Sequence, residues 1–170
     1  MKKLLFLAIP LILFSCGSPS DKSLTVEQKN KIIEEIKPVI NQLFEITYQV
    51  NLDKYLELVD SSSLVNIMNG QILDYKTFKE GNKQLWSGLE YQKINILTEK
   101  FTIINQESVI YTLQGNDEAK FKNGDVLKVD PYAASLLFKK INGLWKITYN
   151  HGSGVFQMTP FQKDNSVPKK

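Results

Sequence analysis

The chain of 170 residues has one cysteine, one histidine and no arginine. Cys16 has no partner within the chain, so a disulfide framework is excluded. A single histidine, His151, without a carboxylate or histidine repeat beside it, leaves too few ligands for a metal centre. No metal and no other cofactor is expected. All 21 basic residues are lysine, so the planar fork with which arginine grips phosphate and carboxylate is missing. The formal charge of +3 falls to +1 once Lys2 and Lys3 are set aside (3 − 2). That surplus is too small to indicate nucleic-acid binding. There is neither a phosphate loop nor a nucleophile elbow, and the glycines stand at turns. After residue 14 no apolar run approaches the ~20 residues that a membrane-spanning helix needs.

The first residues carry the clearest address. Met1, Lys2 and Lys3 precede an apolar stretch from Leu4 to Phe14, interrupted only by Pro10. This is the build of a secretory signal peptide, and the stretch is too short for a retained anchor. Leu13-Phe14-Ser15-Cys16 resembles the bacterial lipobox, with an aliphatic residue three before the cysteine and a small one just before it. Phe14 is bulkier than the usual occupant of its position. The resemblance implies cleavage after residue 15, a diacylglyceryl group on the Cys16 thiol and acylation of the new amine. The alternative is an ordinary leader cut near Ser15 or Gly17. One acyl chain anchors only marginally, whereas two or three make the tether effectively permanent. Residues 16–24, polar and containing Pro19, form a flexible tether. Gly17-Ser18 is no obvious inner-membrane retention signal, which points to an outer-membrane anchor facing the periplasm.

Residues 25–156 are expected to form one α+β domain, followed by a polar tail over 157–170. Thr25-Val26-Glu27-Gln28 fits a capping box. Ile32, Ile36, Val39, Ile40, Leu43, Phe44 and Ile46 then recur at helical spacing, with Pro38 either kinking the helix or starting a new one. Asn51 should cap a second helix carrying Leu52, Tyr55, Leu56, Leu58 and Val59. A short strand near Leu64–Ile67 and a turn at Asn69-Gly70 follow. Asp74 then caps a third helix with Tyr75, Phe78, Asn82, Leu85 and Trp86 on one side, ended by Gly88. From Glu90 onwards β-branched and aromatic runs predict strands at 91–97, 100–104, 108–114, 119–127, 133–141 and 145–151. The expected turns lie at Asn105-Gln106, Gly115-Asn116-Asp117, Asn123-Gly124 and Asn142-Gly143, the last being the strongest hairpin signal. Helices followed by a meander of strands place the helices on one face of an antiparallel sheet.

That order, with Asn51-Leu52-Asp53-Lys54-Tyr55-Leu56 opening the second helix and a final hairpin Leu136–Ile147 containing Asn142-Gly143-Leu144-Trp145-Lys146-Ile147, resembles the nuclear transport factor 2-like superfamily. Its SnoaL-like bacterial branches are the nearest in pattern, over Val26 to Phe156. The resemblance implies a strongly bent antiparallel sheet wrapped around a helix, a cone-shaped α+β barrel with a pocket at its open end, and frequent dimers.

Strict alternation along the last strand places Trp145, Ile147, Tyr149 and His151 on one face. Facing the helices, that set would carry Tyr149 and His151 to the mouth of the cone, where an imidazole can act as a base. Asp53, Asp130, Tyr48 and Tyr75 are its candidate partners, although Asp130-Pro131-Tyr132 also suits a bulge or crossing loop. Tyr48, Tyr75, Trp86, Tyr91, Phe138 and Tyr149 are candidate pocket-lining residues, and all of them equally suit plain core. Three functions stay open: an envelope lipoprotein binding a small apolar ligand or a protein partner, a cofactor-independent dehydratase or isomerase with His151 as base, and a structural lipoprotein acting as a homodimer.

Overall fold

The computed structural model describes residues 23–68 and 70–161. The leader, Cys16 and the tail beyond 161 lie outside the described residues, as does Asn69. Helix α1 runs Val26–Tyr48, and its start is closed by the expected capping box. The Gln28 amide donates to Thr25 Oγ1 at 3.2 Å and the Thr25 amide donates to Gln28 Oε1 at 2.9 Å. Pro38 sits on the exposed side and the helix continues through it. Asn51 caps α2 (Leu52–Glu57), and Asp74 caps α3 (Tyr75–Ser87) by accepting from the Thr77 amide at 2.8 Å. The strands are β1 (Val65–Met68), β2 (Gln71–Leu73), β3 (Leu89–Asn105), β4 (Ser108–Phe121), β5 (Val126–Ile141) and β6 (Leu144–Thr159). They form one sheet in the order β2-β1-β6-β5-β4-β3, antiparallel except where β1 runs parallel to β6. The fold is therefore α+β, with the helices on one face of a curved six-stranded sheet.

The predicted strands 91–97 and 100–104 are one strand, β3. Gly115-Asn116-Asp117 is no turn but the middle of β4, and Asp130-Pro131 is a bulge inside β5 rather than a break. Strand β6 continues to Thr159, three residues beyond the expected domain limit at 156. Asn142-Gly143 does make the hairpin, with φ of 52° and 80°, the paired positive angles that match the twist of adjoining strands.

One row across the sheet concentrates its bend. Strand β3 carries an extra residue at Leu97, between the pairs Ile96–Gly115 and Thr98–Gln114. Strand β5 carries another at Asp130-Pro131, between Val129 and Tyr132. Extra residues of this kind kink a strand and increase its local twist. Between and beside them stand Gly115 and Gly154. A Cβ on Gly115 would lie 1.9 Å from the Asn95 carbonyl oxygen, and one on Gly154 would lie 2.7 Å from that of Pro131. The crease thus alternates an inserted residue with a glycine that lets the neighbouring backbone close in.

Beneath the N-terminal half of α1 the interior is solid. Ile32, Ile36 and Ile40 meet Val109, Tyr111, Phe138, Trp145 and Ile147 in one buried cluster. At about 25 cal/mol per Å² of apolar surface this cluster is the main source of stability. It also fixes the two long hairpins against the helix, aided by the Lys140–Glu35 ion pair at 2.6 Å.

Candidate functional site

Beneath the C-terminal half of α1 the packing opens into a cavity of about 330 Å³. Leu43, Phe44 and Thr47 of α1 form its roof, with Tyr55 of α2 and Phe78, Gly81, Leu85 and Trp86 of α3 beside them. Leu113, Ala134 and Leu136 form the sheet floor. Tyr55 meets the Trp86 ring edge-on at 5.2 Å and the Phe78 ring at 6.0 Å, so α2 and α3 are joined by aromatic contact at the wall. Thr47 directs its hydroxyl to the Leu43 carbonyl at 2.8 Å, turning its methyl side to the interior.

The polar groups are few and placed in two stations. At the first, Asn66 of β1 and Asn150 of β6 stand opposite each other in the parallel ladder. Asn150 Nδ2 donates to Asn66 Oδ1 at 2.8 Å. Both residues line the cavity, and Asn66 is only 1% exposed. At the second, Gln92 Nε2 donates to Asp117 Oδ2 at 2.7 Å. That bond fixes the Gln92 carboxamide, which lines the cavity while Asp117 stands behind it. Asp117 is 8% exposed and its Oδ1 has no partner among the described residues. Burial raises its carboxyl to about 6, partly offset by the bonds from Gln92 and the Glu118 backbone. Tyr132 also lines the wall, its hydroxyl 3.6 Å from where a Cβ on Gly152 would lie. Burial, with Asp117 nearby, pushes the Tyr132 phenol well above its ordinary value, and burial lifts that of Tyr55 to about 12. Both hydroxyls therefore stay protonated near neutral pH.

The residues singled out from sequence fare differently. Trp86 lines the cavity. Tyr75 is half-buried and packs on the main cluster, and Phe138 is fully buried there, outside the cavity wall. Tyr48 is exposed and stacks on Tyr91 at 6.0 Å, while Tyr91 donates to Glu118 at 2.8 Å. Asp53 is exposed in the first turn of α2, and Asp130 is exposed at the β5 bulge. His151 does not reach the mouth of the cone. In β6, Ile147 pairs with Phe138 but Tyr149, not Thr148, pairs with Leu137, so Thr148 is an extra residue. Counting by twos across it gives the wrong face: Asn150 turns inward, Tyr149 and His151 outward, and His151 is exposed. The structure brings none of Asp53, Asp130, Tyr48 or Tyr75 into a hydrogen bond with it. Asp117 was legible in principle. Val109, Tyr111, Leu113, Gly115, Asp117 and Ala119 alternate without interruption, and all are buried. Asn66 and Asn150 gave no signal, because their meeting depends on the β1–β6 register.

The model of the SnoaL-like domain family matches residues 36–158. No curated protein matches the sequence. Solved structures share the fold at low identity. A proposed scytalone dehydratase from Novosphingobium aromaticivorans superposes with a TM-score of 0.68 at 6% identity, covering 86% of this chain and 99% of the other. A nuclear transport factor 2-like superfamily protein from Salmonella enterica serovar Typhimurium gives 0.64 at 14%, covering 83% and 99%. The association domain of the kinase CaMKII from C. elegans gives 0.59 at 16%, covering 76% and 99%. With the family model matched over most of its length and the nuclear transport factor 2-like cone in its backbone, the chain belongs to the SnoaL-like domain family.

Proposed function

We propose that the chain is an exported lipoprotein, tethered through Cys16, whose cavity holds a small and largely apolar molecule. The observation that carries the binding reading is the cavity itself. Its volume of about 330 Å³ sits within the range of small-molecule sites, and its wall is aromatic and aliphatic with a few converging polar groups. No lysine among the described residues lines it, which disfavours phosphates and carboxylates as ligands. The fold alone does not choose a function, since structures of this shape are named for a dehydratase and for an association domain alike.

Trp86 supplies the test. It lies in the cavity wall, whereas the second tryptophan, Trp145, belongs to the solid half. In the full chain carrying Trp145→Phe, toluene should change the remaining tryptophan fluorescence in a saturable way. A flat response up to the solubility limit of toluene removes the binding reading. The tether is tested separately by mass spectrometry of protein recovered from membranes. A Cys16 at the amino terminus carrying a diacylglyceryl mass supports it, and an unmodified thiol or intact leader removes it. A homodimer is a further part of the proposal, supported by exposed apolar residues such as Leu97, Val155 and Met158 and by the likeness to an association domain. Sedimentation that shows only monomer at high concentration would remove that part.

A further inference from the structure

We propose that Asn66 and Asn150 form a reader for a neutral carboxamide edge, so that the ligand is an apolar molecule carrying a primary amide or lactam. The inference rests on the ligand-binding reading and specifies which polar group enters the cavity.

The two carboxamides make one bond to each other, Asn150 Nδ2 to Asn66 Oδ1 at 2.8 Å. Such a bond uses one donor group and one acceptor, and the pair is left with the complementary set. Asn66 Nδ2 makes no hydrogen bond among the described residues, and Asn150 Oδ1 accepts none. Exchanging the O and N of both side chains still leaves one carboxamide nitrogen and one carboxamide oxygen without a bond, so the conclusion does not depend on amide orientation. Neither leftover atom is sealed in the protein interior: among the described residues the buried side-chain atoms without a partner are Asp117 Oδ1 and Trp145 Nε1, while both asparagines border the cavity. Asn66 is 1% exposed and faces a cavity whose floor around it is Leu113, Ala134 and Leu136. Its remaining partner comes from what fills the cavity, water or a ligand that displaces it.

The geometry narrows the partner further. A single group that satisfies both atoms needs an acceptor for Asn66 and a donor for Asn150, a pair that the edge of a carboxamide or lactam offers. A ketone or ester offers only the acceptor. A carboxylate also offers only acceptors and brings a charge that no lysine in the wall would balance. The Tyr132 hydroxyl lies over Gly152, two residues along β6 from Asn150.

The test uses probes of one size on the full chain, read by ligand-observed NMR or calorimetry. Toluene reports whether the cavity accepts an aromatic ring, and the ratio of benzamide to acetophenone reports the amide edge. Benzamide should bind at least about tenfold more tightly than acetophenone, the worth of one added hydrogen bond to a buried partner. In the variant carrying Asn66→Leu and Asn150→Leu together, toluene binding should persist and the benzamide preference should vanish. Removal of both polar partners by groups of similar size spares the fold the cost of an orphan. Asn150→Leu alone serves as a second variant and should lose the preference as well. If toluene binds but benzamide binds no better than acetophenone or benzyl alcohol, the amide reader is overturned and the apolar site stands. If the preference survives in the double variant, the reader lies elsewhere and the proposal is again overturned. If no probe binds, both readings fall.

Discussion

The two halves of the interior are built from the same helix and the same strands, yet one is solid and the other hollow. Under the first turns of α1, large apolar side chains from β4, β5 and β6 pack in the buried cluster. Under its last turns the same strands offer Ala134 and Asn150 beside Leu113 and Leu136, and a cavity remains. The difference separates the packing that carries stability from the cavity proposed to hold a ligand. The packed half holds the hairpins against α1, and the hollow half keeps the Asn66–Asn150 pair at its wall.

The contrast is most sharply tested by removing the same side chain from each half. Phe138→Ala empties a fully buried site and should cost about 3–5 kcal/mol, measured by chemical denaturation. Phe44→Ala, at the half-buried cavity wall, should cost clearly less, because the site is already bordered by space. Equal losses would mean that the hollow half is as tightly coupled to the fold as the solid one.

Asp117 gives the next effect, and its sign is opposite. Its carboxyl sits at about 6 in the folded chain against 3.8 as the ordinary value. The folded state therefore favours the protonated form. The resulting stabilisation is full below the unfolded value and is lost as pH rises through about 6. Asp117→Asn should then stabilise the protein by on the order of 2–3 kcal/mol at alkaline pH and by almost nothing near the unfolded carboxyl value. A gain that does not vary with pH would show that burial of charge is not its cause.

Gly81 stands inside α3 at the cavity wall, and a Cβ there meets nothing within 4 Å. Gly81→Ala should raise stability by about 0.5–1 kcal/mol through helix propensity alone. Gly81→Leu should keep that gain while weakening toluene binding, which would tie the glycine to an open cavity rather than to the fold. The smallest effect is expected at His151. Exposed on the outer face, His151→Ala should change stability by no more than about 0.5 kcal/mol and leave toluene binding unaltered. A loss of binding would contradict the facing of β6 described above.

Much of the architecture was legible because its signals are local. Thr25, Asn51 and Asp74 cap their helices through side chains three residues from the amides they meet. Asn142-Gly143 turns its hairpin by backbone preference alone. The site was less legible because its geometry depends on irregular pairing. The extra residue at Thr148 exchanges the faces of Asn150 and His151, and nothing in the local sequence marks it. Gly115-Asn116-Asp117 has the composition of a turn but lies in a strand held on both sides by β3 and β5. There tertiary pairing overrides local preference, and a carboxylate expected in a turn is buried in a strand.

The crease across β3 to β6 has a consequence for how such a cavity can change over time. Its inserted residues and its glycines occupy adjacent rungs, so each is the answer to its neighbour's shape. Deleting Leu97 alone would straighten one strand against three that still fold, and replacing Gly115 alone would wedge β3 from β4 with no relief elsewhere. The angle of the wall is thus inherited as a block. Cavity size in descendants of this chain should drift through side chains on the floor and roof, while the hinge line of the sheet passes on unaltered.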